Sequence, residues 1–262
     1  MARGPAGNAS DYCTLAVWRL SRARLSWRPG VQMTYKWIKR IAFLLLSAIL
    51  LYQCWIFAHV WWWVNHNPTD SAFMDRRLAQ LQQHNPDAQL RFKWVAYNQI
   101  SNNLKRALIA AEDAKFLTHD GFDWTGIHDA AEKDLKKGRL VAGGSTISQQ
   151  LAKNLFLSDQ RTPWRKLEEA LITVMLEKMM GKRRILEIYL NVIEWGNGVF
   201  GAQAAAYYYY HTTAARLTPL QAAKLAAMVP DPRYYDLHRN ARGLLHRTAI
   251  IAARMELVRA PR

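Results

Sequence analysis

Cysteine is nearly absent: the 262 residues contain two, Cys13 and Cys54, and the chain beyond residue 54 has none. That stretch can form neither a disulfide nor a thiolate metal site, so an ordinary core has to stabilise it. Acidic residues are few, 20 against 36 Lys and Arg, which leaves a net charge of +16. Alternating apolar and polar patterns are scarce, which disfavours a sheet-built fold, and there is no repeat with a period of roughly 20–50 residues, which excludes a solenoid or propeller. A Walker loop is missing, as are RNP, zinc-finger and helix-turn-helix patterns. Nucleic acid is therefore a poor candidate partner.

Charge is also missing from one long run. "IAFLLLSAILLYQCWIFAHVWWWV", Ile41–Val64, has no Asp, Glu, Lys or Arg and exceeds the roughly 20 residues a helix needs to cross a hydrocarbon core. Lys36, Lys39 and Arg40 precede it, whereas "NHNPTD" follows without a basic residue. The positive-inside rule then puts the N-terminus in the cytoplasm and everything after Val64 outside. Trp61, Trp62 and Trp63 suit an interfacial belt at the far side. A cleaved signal peptide is the competing explanation, but its apolar region is usually shorter and no small-residue cleavage site follows the tryptophans. Residues 1–40 hold eight basic residues and one acid, a balance of +7 suited to an anionic leaflet. The outer part retains +9, which favours a polyanion, a lipid headgroup or a phosphate-bearing substrate.

With half its residues apolar, the chain can fill one domain of roughly 200 residues plus this appendage. Residues 65–92 look like a juxtamembrane connector with one short helix. Helical spacing then dominates. Leu104, Ala107, Leu108 and Ala111 fall at three-four intervals behind Ser101 or Asn102 as cap. Further helices are expected at about Thr125–Lys137, Thr146–Phe156, Trp164–Met180, Arg184–Val192, Gly201–Tyr210 and Thr218–Met228. Gly138, Gly143 with Gly144, Gly181 and "GNGVFG" mark the breaks.

Three stretches carry chemistry-bearing residues. In "EDAKFLTHDGFD", Glu112 follows Leu108 by four residues and so borders the apolar face. Shielded from water, its carboxylate would gain proton affinity, as a general base requires; paired with Lys115, it would stay solvated. His119 and Asp123 equally suit a turn pinned by hydrogen bonds near Gly121. In "GGSTISQQLAKN", two glycines allow close backbone approach, Ser145 or Thr146 can cap a helix, and the first N–H groups of that helix suit a phosphate. Gln149 and Lys153 share a face. An ordinary capped helix after a glycine turn fits the same residues. In "RTPWRKLEEALITVMLEKMM", Glu169 shares helical spacing with Ile172, Thr173 and Leu176. It can point inward beside Arg161, Arg165 and Lys166, or cap the first turn.

In that order, followed by "KRRILEIYLN", "EWGNGVFGAQAAAYYY" and "LTPLQAAKLAAMVPDP", these stretches resemble the successive motifs of the family 51 glycosyltransferases, over roughly Lys93–Pro232. Neither S-x-x-K nor K-T-G occurs, so the resemblance is to members without a penicillin-binding transpeptidase domain. It implies a mainly α, lysozyme-like domain of two lobes, head and jaw, over residues 93–262, preceded by a single transmembrane helix. The implied reaction is polymerisation of lipid II onto a growing glycan chain, outside a bacterial inner membrane, with inversion to a β-1,4 link and loss of undecaprenyl pyrophosphate. By this matching Glu112 is the base, and Asp113, Phe116, His119, Gly121 and Asp123 support it. Ser145, Gln149, Gln150, Lys153, Asn154, Arg161, Arg165 and Lys166 hold the donor pyrophosphate, and Glu169 assists departure. The resemblance leaves a divalent cation such as Mg²⁺ open as cofactor; membrane lipid and cell-division or elongation proteins are the other implied partners. His211 stands where the family commonly has Lys or Gly-Lys. A lytic enzyme of the same fold, which would shorten existing glycan, and a catalytically inert scaffold are the competing functions.

Overall fold

Most helices start where the sequence supplies a capping side chain, a proline or a glycine; the helix that follows Ala241 does not. The computed structural model describes Met1 and residues 29–137, 144–160 and 162–262. The basic segment up to Arg28, the breaks at Gly138 and Gly143, and Arg161 lie outside the described residues.

The chain is mainly helical. Helix α1, Pro29–Trp63, contains the apolar run and begins a dozen residues before it; Tyr35–Trp63 is long and apolar enough to cross a membrane. Two compact units divide the chain, Met1–Gln53 and Cys54–Arg262. The first is the N-terminal part of α1. In the second, the last turns of α1 pack through Ile56, Val60 and Trp63, with Trp63 against Phe156 at a ring separation of 5.3 Å.

Residues 65–92 belong to the same second unit. Ser71 caps α2, Ala72–Gln82, by accepting from Met74 N–H. Arg77 of α2 is buried and bidentate to Glu194, at 2.8 and 3.1 Å. Helices α3 (Asn102–Glu112), α4 (Trp124–Lys137), α5 (Ile147–Phe156), α6 (Pro163–Met179), α7 (Lys182–Val192), α8 (Ala202–Tyr210) and α9 (Pro219–Met228) follow the expected order. Ser101 caps α3 and Thr146 caps α5, which decides both alternatives left by the sequence. Two further helices, α10 (Pro232–Leu237) and α11 (Arg242–Arg254), were not expected.

Nor was a small sheet of order β1-β3-β2. Strand β1 (Arg91–Phe92) runs parallel to β3 (Val199–Phe200), and β2 (Glu194–Gly196) pairs antiparallel with β3, with an irregular register between Glu194 and Gly196. Strands of two or three residues are too short to show alternation. Helix packing falls into two groups, α3 with α9 and α11, and α5 with α6 and α7, and both contribute to one buried core. Trp195, Tyr189, Phe116 and Phe200 are its largest buried side chains.

Candidate active site

Glu112 ends α3, one turn beyond the buried Leu108. Its side chain is about 10% exposed, and both oxygens are held. Gln150 of α5 donates Nε2–H to Oε2 at 2.8 Å, and the guanidinium of Arg247, on α11, reaches Oε1 at 3.1 Å. The Gln150 amide cannot turn over, because its oxygen accepts the Tyr189 hydroxyl at 2.6 Å. Burial first, then the nearby Glu112 and Asp113, push the Tyr189 phenol well above its usual range, so it remains a donor. Lys115 turns away to Asp123, at 3.4 Å, and to Thr125; the solvated Glu112–Lys115 pair that the sequence allowed is not formed.

Asp113 is buried and faces inward. It accepts from His119 Nε2 at 2.9 Å and from the Ile147 N–H at 3.1 Å. Because His119 Nδ1 accepts the Gly121 N–H, at 3.1 Å, the ring proton sits on Nε2 and is donated to Asp113. The Thr146 hydroxyl donates to the Gly121 carbonyl at 2.7 Å, which joins the loop after α3 to the start of α5. These bonds correct one expectation. The first N–H of α5 serves an anion from within, the Asp113 carboxylate, and the Gln149 N–H goes to Thr146; neither remains for a phosphate.

The other supporting residues also have defined places. Phe116 is buried, with the Lys182 ammonium 4.7 Å from its ring centroid. Asp123 caps α4: the Gly126 N–H, the Thr125 hydroxyl and Lys115 hold its carboxyl below the usual range. Gln149 gives its side-chain oxygen to the Thr146 N–H, and Asn154 donates to the Gln150 carbonyl, so both buried amides hold α5 itself.

A second cluster forms where α5 meets α6. Glu169, buried in the second turn of α6, is gripped by Arg165 at 2.8 Å and by Lys166. It is thus no cap of the first turn. Lys166 also donates to Ser145 Oγ at 3.3 Å. Burial pushes the Lys153 ammonium down, Glu169 and Asp159 oppose this, and Arg165 and Lys166 add to it; these groups therefore share one field. A cavity of about 210 Å³ is lined by Glu112, Lys115, Asp123, Ser145 and Thr146. Ser145 is the hinge of the whole arrangement, since it borders Glu112's cavity and touches the cluster around Glu169.

Among the described residues no three His, Cys, Asp or Glu side chains gather as a metal site requires. Each oxygen of Glu169 accepts from one cation, Arg165 or Lys166.

Comparison with known proteins decides the family. A transglycosylase family model matches residues 77–256. The chain belongs to the transglycosylase family. It is 66% identical to a biosynthetic peptidoglycan transglycosylase of Laribacter hongkongensis (strain HLHK9), over 86% of this chain and 99% of that protein. Proteins of the same name from Methylobacillus flagellatus and Dechloromonas aromatica are 66% and 59% identical, covering 83% and 86% of this chain and 95% and 98% of their own. The family match begins inside α2, consistent with the burial of Arg77.

Sequence reasoning missed Arg247 and Tyr189. Arg247 follows the buried Leu244 by three residues and precedes the buried Thr248, so it borders the inward face of α11. That signal was available once α11 was recognised as a helix.

Proposed function

We propose that this transglycosylase polymerises lipid II. The observation that carries the proposal is a link through Ser145: a shielded carboxylate, Glu112, lines a cavity that Ser145 also lines, and Ser145 accepts a hydrogen bond from Lys166 of the cation cluster. In the reaction, Glu112 takes the proton of the acceptor's 4-hydroxyl as that oxygen bonds to C1 of the donor sugar. The C1–oxygen bond to the pyrophosphate breaks on the opposite face, which inverts the anomeric carbon. Undecaprenyl pyrophosphate leaves with the electron pair. Lys153, Arg165 and Lys166 stabilise its negative charge, and Arg161 is assigned there by motif alone. Arg247 and Gln150 fix the orientation of Glu112, and each carboxylate oxygen still has a lone pair for the incoming proton. Ser145 contributes its hydroxyl to the same cavity. Gln149 and Asn154 act by keeping α5 in place, and Asp113, Phe116, His119, Gly121 and Asp123 by shaping the loop that follows Glu112.

A lytic enzyme would require an acid on the leaving-group side. Both oxygens of Glu169 are held by the cations Arg165 and Lys166, and such a cluster suits a departing pyrophosphate rather than a neutral sugar. Glycan cleavage is therefore the weaker alternative.

The proposed topology has residues 1–40 in the cytoplasm, 41–64 across the inner membrane and the remainder in the periplasm. The exposed face of α6 supports contact with the bilayer: Trp164, Leu167, Leu171 and Val174 form an apolar stripe at three-four spacing, opposite buried Glu169, Ile172 and Leu176. Such a surface keeps the site within reach of a lipid-linked substrate.

The test is conversion of lipid II to polymer by the full chain in detergent. Glu112→Gln should lower the rate by about 100-fold or more, the scale of a lost general base, with the thermal midpoint unchanged. Retained turnover refutes the role of Glu112, and shortening of preformed glycan would favour the lytic alternative.

A further inference from the structure

Away from that site, a basic cavity of about 790 Å³ opens beside the N-terminal half of α3. Its walls include Tyr97, Lys105, Arg106, Arg183, Arg259 and Arg262. Lys105 is only 3% exposed; its ammonium lies 3.9 Å from the Tyr97 ring centroid and donates to Asn102. The Arg183 guanidinium lies over the same ring at 5.0 Å. Tyr97 is fixed by donating its hydroxyl to the Pro261 carbonyl at 2.6 Å. Burial pushes the Tyr97 phenol up to about 12 and, with Arg183 nearby, pushes the Lys105 ammonium down.

Nearby carboxylates are already engaged. Glu256 pairs with Arg106 at 2.5 Å, while Glu187 pairs with Arg184 at 2.8 Å and accepts the Tyr97 N–H. Among the described residues Lys105, Arg183 and Arg259 make no ion pair. Two cations flanking one ring, one of them almost dry, repel each other and are poorly hydrated, so an arriving anion gains more here than at an open surface.

The position of the cavity identifies the anion. Arg184, next to Arg183, donates to the Trp63 carbonyl at 3.0 Å and to the His66 carbonyl, and stands over Trp94. Trp63 is the outer end of the candidate membrane span. The headgroup layer extends roughly 5–8 Å beyond the hydrocarbon core, and the cavity-lining Arg183 is the chain neighbour of the arginine that holds the Trp63 carbonyl.

We propose that Lys105, Arg183 and Arg259 form a site for the phosphate of an anionic phospholipid headgroup in the outer leaflet, separate from the glycan-forming site. This rests on the membrane topology proposed above. A bound headgroup neutralises the cations and ties α3, α7 and the C-terminal segment to the bilayer at a second place.

The experiment uses the full chain in a neutral detergent, titrated with short-chain phosphatidylglycerol while its thermal midpoint is followed. A saturable rise is expected for the native chain. Arg183→Gln with Arg259→Gln, which leaves the buried Lys105 in place, should weaken the apparent Kd by about five-fold per cation removed. Arg19→Gln with Arg22→Gln, in the cytoplasmic segment, should leave it unchanged. An unaltered Kd in the Arg183/Arg259 variant, or an equal rise with phosphatidylcholine, overturns the site. The same saturable rise with inorganic phosphate at equal concentration overturns the lipid assignment in favour of a free anion. Polymerisation of lipid II is measured in parallel: its absence in the native chain would reject the proposed activity while the lipid titration stays readable.

Discussion

Lys153, one of the cations assigned to the donor in the proposed reaction, lies in surroundings that act on its charge. Burial lowers its pKa below that of an ordinary lysine, and only Glu169 and Asp159 oppose the shift. The protonated form, which the proposed donor role requires, is complete below the lowered pKa and disappears as pH rises through it. Donor affinity should therefore fall on the alkaline side earlier than a solvated lysine would allow. Lys153→Arg keeps its charge across that range, so the alkaline limb of kcat/KM should move to higher pH; a limb that stays in place would exclude Lys153 from donor binding. At this scale the sequence showed which residue types mattered but not their partners. Glu112, His119 and Lys153, each with an ordinary structural explanation by local spacing, could be picked out by the motif resemblance. The contacts that orient Glu112 could not, since Arg247 lies 135 residues away and Gln150, expected at the donor, lies 38 away. Helical spacing also left Lys115 as a partner for Glu112, until Asp123 and Thr125 proved to offer it better geometry.

Elements bounded by their own caps were legible: Ser101, Thr146 and Thr218 each accept from the third residue beyond them, and Pro163 and Pro219 open their helices. What local pattern could not convey was use. The N-terminus of α5 looked free for a phosphate because the anion that takes its first N–H, Asp113, comes from 34 residues earlier. The three-stranded sheet was invisible because its strands have two or three residues each and β1 joins β3 across more than a hundred residues of sequence. The contact between α3's loop and α5 gives an element-scale prediction at Gly121. Its φ of 92° disfavours any side chain, and an added Cβ would lie 2.8 Å from Thr173 Cγ2 and 3.0 Å from Glu177 Cγ. Gly121→Ala should therefore cost about 1–3 kcal/mol in urea unfolding. It should also slow polymerisation, because the Gly121 carbonyl holds Thr146 and its N–H sets the His119 tautomer. An unchanged unfolding midpoint would show that the loop relaxes freely.

At the scale of the whole molecule, residues 65–92 follow the long apolar helix α1 into the rest of the second unit, and a buried ion pair is part of their attachment. Arg77 and Glu194 are both nearly inaccessible, at 7% and 4% side-chain exposure, and 117 residues apart. Arg77 donates further to Gln80 at 2.5 Å, and Glu194 accepts the Gly198 N–H at 3.2 Å, at the turn between β2 and β3. One pair therefore links α2 to the small sheet. Removing only the cation leaves a dehydrated carboxylate with a single weak donor. Arg77→Met should thus destabilise the chain by about 3–5 kcal/mol. Adding Glu194→Gln removes the stranded charge and keeps an oxygen for Gly198, so the double variant should recover most of that loss. Thermal unfolding of both variants in detergent distinguishes the possibilities. Recovery means that the stranded charge dominates the cost. A double variant as unstable as the single one would mean that the Arg77 side chain stabilises mainly by packing, and a single variant with native stability would show that α2 contributes little to the unit.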